Sequence, residues 1–179
     1  MNTLDFFHIH ARYNRWMNRK IYDAAAEFPD AERKRDLGAF FKSIHGTLNH
    51  LVLTDRIWLG RFTGDTERFR SLDSSGKPID IHSLGQVLYE DFAELRHERE
   101  RTDSDIGKFV DSLSQDVLET PLHYKTSSGE PCSHPLWWAL MHMFNHGTHH
   151  RGQTTTLLKQ LGKDPGVTDL VAMLRNNEG

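Results

Sequence analysis

Apolar residues return at helical intervals through four stretches of the chain, and turn-forming residues fill the gaps between them. Leu4 to Ala26 holds no proline or glycine, and Phe6, Ile9, Tyr13, Trp16, Met17 and Ala24 recur mostly every three or four residues, with Phe28 just beyond. This spacing predicts a long amphipathic first helix stopped by Pro29. From about Ala39 to Phe62, the residues Phe40, Ile44, Leu51, Trp58 and Phe62 fall on one stripe when each position is turned by about 100°, which predicts a second helix. Thr63 to Lys77 carries two glycines and three serines without periodicity and is followed by Pro78, so it reads as a connection. A third helical pattern starts near Ser83, a suitable N-cap, and passes through Leu84, Leu88, Phe92 and Leu95 to about Arg101. Residues 103–114 either extend it or break away. Leu118 to Ser133 suggests a short extended pair or an irregular loop. His134-Pro135 opens the last long helix, with Pro135 suited to its first turn, and the pattern lasts to Leu161 before Gly162 and Pro165 stop it. Val167 to Leu174 is apolar enough to pack, and the residues after it are expected to be free. Four long helices without a convincing sheet predict an all-α, single-domain four-helix bundle, with the irregular or extended segment just before the last helix.

Composition narrows the chemistry. The 179 residues are enough for one domain with its own core, and 37% hydrophobic with 26% charged residues is ordinary for a globular chain. No stretch approaches the roughly 18 apolar residues of a membrane span, and Met1-Asn2-Thr3-Leu4-Asp5 does not start like a signal peptide, so a cytoplasmic protein is expected. The net charge is −3, and basic residues are interleaved with acids, as in Arg96-His97-Glu98-Arg99-Glu100-Arg101, which argues against nucleic acid as a partner. Cys132 is the single cysteine, so neither a disulfide nor a cysteine cage is available, and its role is open. Any metal must rest on histidine and carboxylate.

Twelve histidines are present, and His142, His146, His149 and His150 fall within nine residues of the last predicted helix. With His146 at zero, His150 lies at about +40°, between Ala139 and Leu157 at about +20° and Met143 and Leu161 at about +60°. Both histidines therefore face the core, and residues four apart are stacked neighbours whose imidazoles can converge on one cation. His142 and His149, at about −40° and −60°, sit on the flank and suit outer or rim roles. Buried histidines hydrogen-bonded to a neighbour are the commoner outcome of such patterns. Two neutral imidazoles buried together without partners would, however, cost on the order of 1 to 3 kcal/mol per failed group, which a metal would relieve. A further ligand must come from another helix. On the second helix periodicity admits His50, beside Thr47 and Thr54, and places His45 on the opposite surface. On the first, His10 shares the stripe with Phe6, Tyr13 and Met17, as a pocket or core residue, whereas His8 faces away.

The run His45-Gly46-Thr47-Leu48-Asn49-His50-Leu51-Val52-Leu53-Thr54-Asp55-Arg56-Ile57-Trp58-Leu59, followed by His142-Met143-Phe144-Asn145-His146-Gly147-Thr148-His149-His150-Arg151-Gly152-Gln153, resembles the DinB family of metal-binding proteins. The likeness extends from Tyr13-Asn14-Arg15-Trp16-Met17-Asn18 to Gly166-Val167-Thr168-Asp169-Leu170. It implies that His50, His146 and His150 are the metal ligands, that the fold is a four-helix bundle forming homodimers, and that the chain is kin to metal-dependent transferases using low-molecular-weight thiols such as bacillithiol or mycothiol.

Three neutral histidines leave at least one coordination position open, the mark of a catalytic site. Zinc fits best, with nickel, iron or manganese able to use the same ligands. Such a site suits a transferase or a hydrolase acting on a small molecule; the alternative is a non-enzymatic stress-response protein whose metal is structural. Gln153, one turn beyond His150, could bond a bound water or hold a ligand ring, and Asp55, Asn49 or His149 could orient a ligand in the same way. For Gln153, Asp55 and Asn49 a solvated polar flank or an interhelical hydrogen bond is the competing expectation. Arg151, about 100° from His150, is expected in an ion pair. Trp16, Trp58, Trp137 and Trp138 are expected in the core, a pocket wall or a dimer interface.

Overall fold

The computed structural model describes residues 3–126 and 128–179; Met1 and Asn2 of the N-terminal reading and Ser127 of the loop reading lie outside the described residues. The chain is mostly helical, with one two-stranded sheet. In order it forms α1 (Thr3–Ala26), the short α2 (Asp30–Lys34), α3 (Ile44–Thr63), α4 (Phe92–Asp111), a 3₁₀ turn (Val117–Glu119), β1 (Pro121–Lys125), β2 (Pro131–Pro135), α5 (Leu136–Gln160) and α6 (Leu170–Arg175). The long helix α1 packs on α4 and α5, and α3 packs on the same two, so the four close a ring of contacts. β1 and β2 pair antiparallel, with Pro121 opposite Pro135 and Tyr124 opposite Cys132. Of the two expectations for that segment, the extended pair is the one present.

Two apolar clusters fill the interior. One gathers Ile21, Ala25, Ile44, Leu48, Val52, Leu95 and Leu158; the other gathers Phe7, Leu59, Ile106, Val110, Leu140 and Phe144. Along α4 and α5 the buried polar residues fall between the two sets, as do Thr54, Asp55 and Arg56 of α3. Asp55, Arg99, Thr102, Asp103 and Arg151 belong to this layer, and Asn14 and Asn18 of α1 join it. The Arg99 guanidinium binds Asp55 at 2.7 Å and Asp103 at 2.9 Å, and Asp103 accepts from Asn14 and Asn18 at 3.0 and 2.9 Å.

Several sequence expectations are corrected. The second helix begins at Ile44, not near Ala39, because Ser43 caps it by accepting the Gly46 N–H at 3.0 Å; Phe40 lies in the preceding turn with 84% of its surface exposed. The third helix begins at Phe92, capped by the Asp91 carboxylate, and runs to Asp111, so Ser83 is no cap and Leu84 and Leu88 stand outside it. The backbone there has partners on α3 instead. Asn49 Oδ1 accepts the N–H groups of both Leu88 and Tyr89 at 2.9 Å, and the Tyr89 carbonyl binds His45 Nε2 at 2.8 Å. This irregular segment covers the side of α3 that the hydrophobic stripe left outside, so His45 is buried and not on the surface. The last helix starts at Leu136, with Pro135 as its flanking residue rather than in its first turn. Val167 to Leu174 does pack, through Ala172 and Met173 of α6, but the residues after it are tethered: the Trp16 indole donates to the Glu178 carboxylate at 2.8 Å. Among the described residues no helix is long and apolar enough to cross a membrane.

Candidate metal centre

His50 comes from the second turn of α3, and His146 and His150 from consecutive turns of α5. The turn before α3 sets the first ring. Phe41 stacks on the His50 imidazole with centroids 3.9 Å apart and planes 21° apart. Its carbonyl crosses so close to Gly46 that a Cβ there would lie 2.2 Å from the oxygen. Replacing Gly46 by Ala is therefore expected to push the Phe41 turn away and to cost about 1–3 kcal/mol, as other forced overpackings do. Urea unfolding checks this, and wild-type stability in the variant would contradict it.

The ring nitrogens have defined partners. His50 Nδ1 donates to the Leu84 carbonyl at 2.8 Å, and His150 Nδ1 donates to Gln153 Oε1 at 2.7 Å. Both partners are acceptors, so each proton sits on Nδ1 and each Nε2 presents a lone pair. Those two atoms converge on His146 Nε2, at 3.2 Å from His50 and 3.1 Å from His150. A proton on His146 Nε2 could serve only one of the two lone pairs well, and His146 Nδ1 is itself buried with no partner among the described residues. Three nitrogens that repel one another without a cation are satisfied by one with it. At a metal–nitrogen distance of about 2.1 Å, nitrogens sharing an ion stand about 3.0 Å apart at a right angle and about 3.4 Å apart at a tetrahedral angle. The spacings from His146 Nε2 to the other two lie between these values, and all three ligand atoms lie within 4.8 Å of one another, so the set suits one shared divalent ion.

Burial, reinforced by the neighbouring imidazoles, pushes His146 down to about 3; burial likewise takes His50 to about 4 and lowers His150. All three imidazoles are therefore neutral at neutral pH, the form that can bind a metal. Their folded pKa values lie below the unfolded value of about 6.5, so the unfolded chain binds more protons between these limits, and stability falls as pH falls through that window. The metal-free protein is accordingly expected to lose urea resistance steadily from about pH 6.5 towards pH 4, and a flat profile would contradict the neutral triad.

The remaining sequence candidates divide. Gln153 accepts from the His150 ring, and its amide nitrogen faces His149 Nε2 at 3.2 Å, so the exposed His149 braces Gln153. Asp55 does not reach an imidazole; it is spent on Arg99, and Asn49 on the backbone of residues 88 and 89. Arg151 has no carboxylate within ion-pair distance among the described residues; it is buried, donates to Asn14 Oδ1 and to Thr148 Oγ1, and burial takes its guanidinium down to about 10. His10 packs between Phe6 and Phe144, and His142 stands exposed beside Trp58 and His146. Trp16 and Trp58 are buried, Trp137 is half-buried, and Trp138 is 52% exposed. Sequence reasoning missed the roles of Phe41 and Leu84. A Phe-Lys-Ser-x-x-Gly cap and a lone apolar residue in a loop gave no signal of metal chemistry.

Two clefts reach the triad. One of about 1000 Å³ is bordered by Phe41, His45, Leu84, His149 and Gln153 together with all three histidines. The other, of about 500 Å³, meets His50 and His146 and extends past Trp58, Arg61, Tyr124 and His142.

The DinB family model matches residues 1–178. Protein DinB of Bacillus subtilis (strain 168) is 29% identical over 161 residues, covering 88% of this chain and 87% of that one. The crystal structure of a DinB-like protein from Bacillus cereus ATCC 10987 superposes with a TM-score of 0.57 at 17% identity, covering 84% of this chain and 90% of the other.

Proposed function

The chain belongs to the DinB family, and on that premise we propose that it is a metal-dependent protein of the four-helix-bundle type, with His50, His146 and His150 as the ligands of one divalent ion and a small molecule as substrate. The observation that carries this reading is the convergence of the three Nε2 atoms at 3.1 and 3.2 Å while two of the Nδ1 atoms are tied to acceptors. Zinc suits a set of neutral imidazoles, and nickel, iron or manganese would compete according to supply. A bound ion with open positions would supply a water near neutral pKa or hold a thiol as thiolate. The protein's own residues do the rest. Leu84 and Gln153 fix the ring planes, Phe41 backs His50, and the clefts admit a substrate to the lone-pair side of the rings. The reaction class is thiol transfer or hydrolysis in the cytoplasm.

A purely structural ion bridging α3 and α5 in a stress-response protein is the competing reading. The cleft of about 1000 Å³ beside the triad favours the enzymatic one, because a structural site closes its coordination sphere. Elemental analysis of protein purified without a histidine tag should find one ion per chain, and X-ray absorption should find three nitrogens with further oxygen ligands that exchange. A metal-free protein would end the first reading, and a saturated sphere without exchangeable oxygen would leave the structural one. Size-exclusion chromatography with light scattering should return the mass of a homodimer.

A further inference from the structure

The narrower cleft contains a cation with no obvious employer. Arg61, on α3, lays its guanidinium over the Trp58 ring at 4.6 Å and over the Tyr124 ring at 4.7 Å, and donates one hydrogen bond to the Lys125 carbonyl at 3.0 Å. Two aromatic faces and one carbonyl hold the planar group in place without neutralising it. The other arginines of α3 and the interior of α4 are matched: Arg56 pairs with Glu98, and Arg99 with Asp55 and Asp103. Arg61 has no carboxylate within 4 Å among the described residues, and no protein acceptor for its remaining N–H groups. It is half-buried, and burial lowers its pKa, so its charge is uncompensated where water is partly excluded.

The same cleft leads to the histidines by ring contacts. Trp58 meets His142 at 5.3 Å, and His142 meets His146 at 5.7 Å. We propose that Arg61 anchors a carboxylate of the small molecule whose other end meets the metal, so that the substrate class is a carboxylate-bearing small molecule. This rests on the metal-centre reading above. A guanidinium held flat, with donors to spare, matches a carboxylate in a planar, two-point manner that a rotating ammonium would not. Arg61 and His146 both border this cleft of about 500 Å³, a volume that holds a small molecule.

Two titrations test it. Calorimetry on the metal-loaded protein compares 3-mercaptopropionate with neutral thioglycerol, both of which bind a metal through sulfur. Wild type is expected to prefer the acid about tenfold, the gain of one charge-assisted pair. Arg61→Gln should erase that preference with thioglycerol affinity unchanged, and Arg61→Lys should restore only part of it. Absence of the preference in wild type, or its survival in Arg61→Gln, overturns the proposal while thioglycerol binding still upholds the metal. The second readout needs no metal. Propionate added to metal-free protein should shift the Arg61 Nε–H resonance saturably, the resonance being assigned by its loss in Arg61→Lys. No saturable shift, or a tighter response to methyl phosphate than to propionate, overturns the carboxylate anchor even if the metal reading has failed.

Discussion

Replacing His146 by alanine is expected to abolish stoichiometric metal binding while the helical fold persists. His146 is the histidine whose Nε2 lies within 3.2 Å of both other nitrogens, so its loss leaves two candidate donors on different helices without the atom that joins them. Removing an outer partner of a metal ligand already costs up to about 100-fold in affinity, and removing a ligand should exceed that. The neighbours supply the contrast. His142 and His149 lie on the same helix and within ring contact of the triad, yet neither belongs to the group whose ligand atoms lie within 4.8 Å of one another. Alanine at His142 or His149 should therefore retain the ion, with His149→Ala weakening it only through Gln153. Full metal content in His146→Ala, measured by elemental analysis with circular dichroism as the check on folding, would remove the site assignment. Loss of metal in His142→Ala as well would place the centre elsewhere on α5.

How much of this was legible in the sequence depends on whether a residue's partner is local. His146 and His150 are four apart on one helix, so turning the chain by about 100° per residue set them side by side. The length of α1 and α5 followed from the same rule, because uninterrupted apolar periodicity and flanking proline and glycine are local signals. His50 was only admitted by periodicity and rested on resemblance, since its position opposite α5 depends on how α3 packs. The third helix was begun too early for a related reason. Leu84 and Leu88 have helical spacing to Phe92, but the backbone between them is bonded by Asn49 and His45, and hydrogen bonds from another element cannot be read from the segment itself. That misreading concealed a feature of the site, because a helix there would have kept the Leu84 carbonyl for its own ladder and left His50 Nδ1 without its acceptor. Asp55 met the competing expectation of an interhelical bond, but its partner was equally out of reach of local reading. It stands five residues from His50, yet Arg99, forty-four residues away in sequence, binds its carboxylate.

Arg99→Leu is expected to cost more stability than any other single change in the polar layer. Arg99 is 2% exposed and holds Asp55 and Asp103, each 4% exposed at the side chain, at 2.7 and 2.9 Å. Leucine fills much of the volume but leaves two buried carboxylates without their paired cation, with only Arg151, beyond ion-pair distance, as a positive neighbour among the described residues, and breaking a buried pair in this manner costs about 3–5 kcal/mol. Replacing all three by apolar residues could be neutral, so the penalty measures stranded charge and not the worth of the pair. pH separates the two. Burial already raises the Asp103 carboxyl, and Arg99 is the main opposing influence. Without Arg99 the folded carboxyl should rise further above its unfolded value, so the folded variant would take up protons that the unfolded chain does not, and would gain stability as pH falls through the raised value. The losses from His50, His146 and His150 below about pH 6.5 are common to both proteins and cancel in the difference. Urea unfolding of wild type and Arg99→Leu at pH 8 and pH 5 should therefore show the gap between them narrowing on acidification. A gap that stays constant would mean that lost packing, and not uncompensated carboxylate, carries the cost.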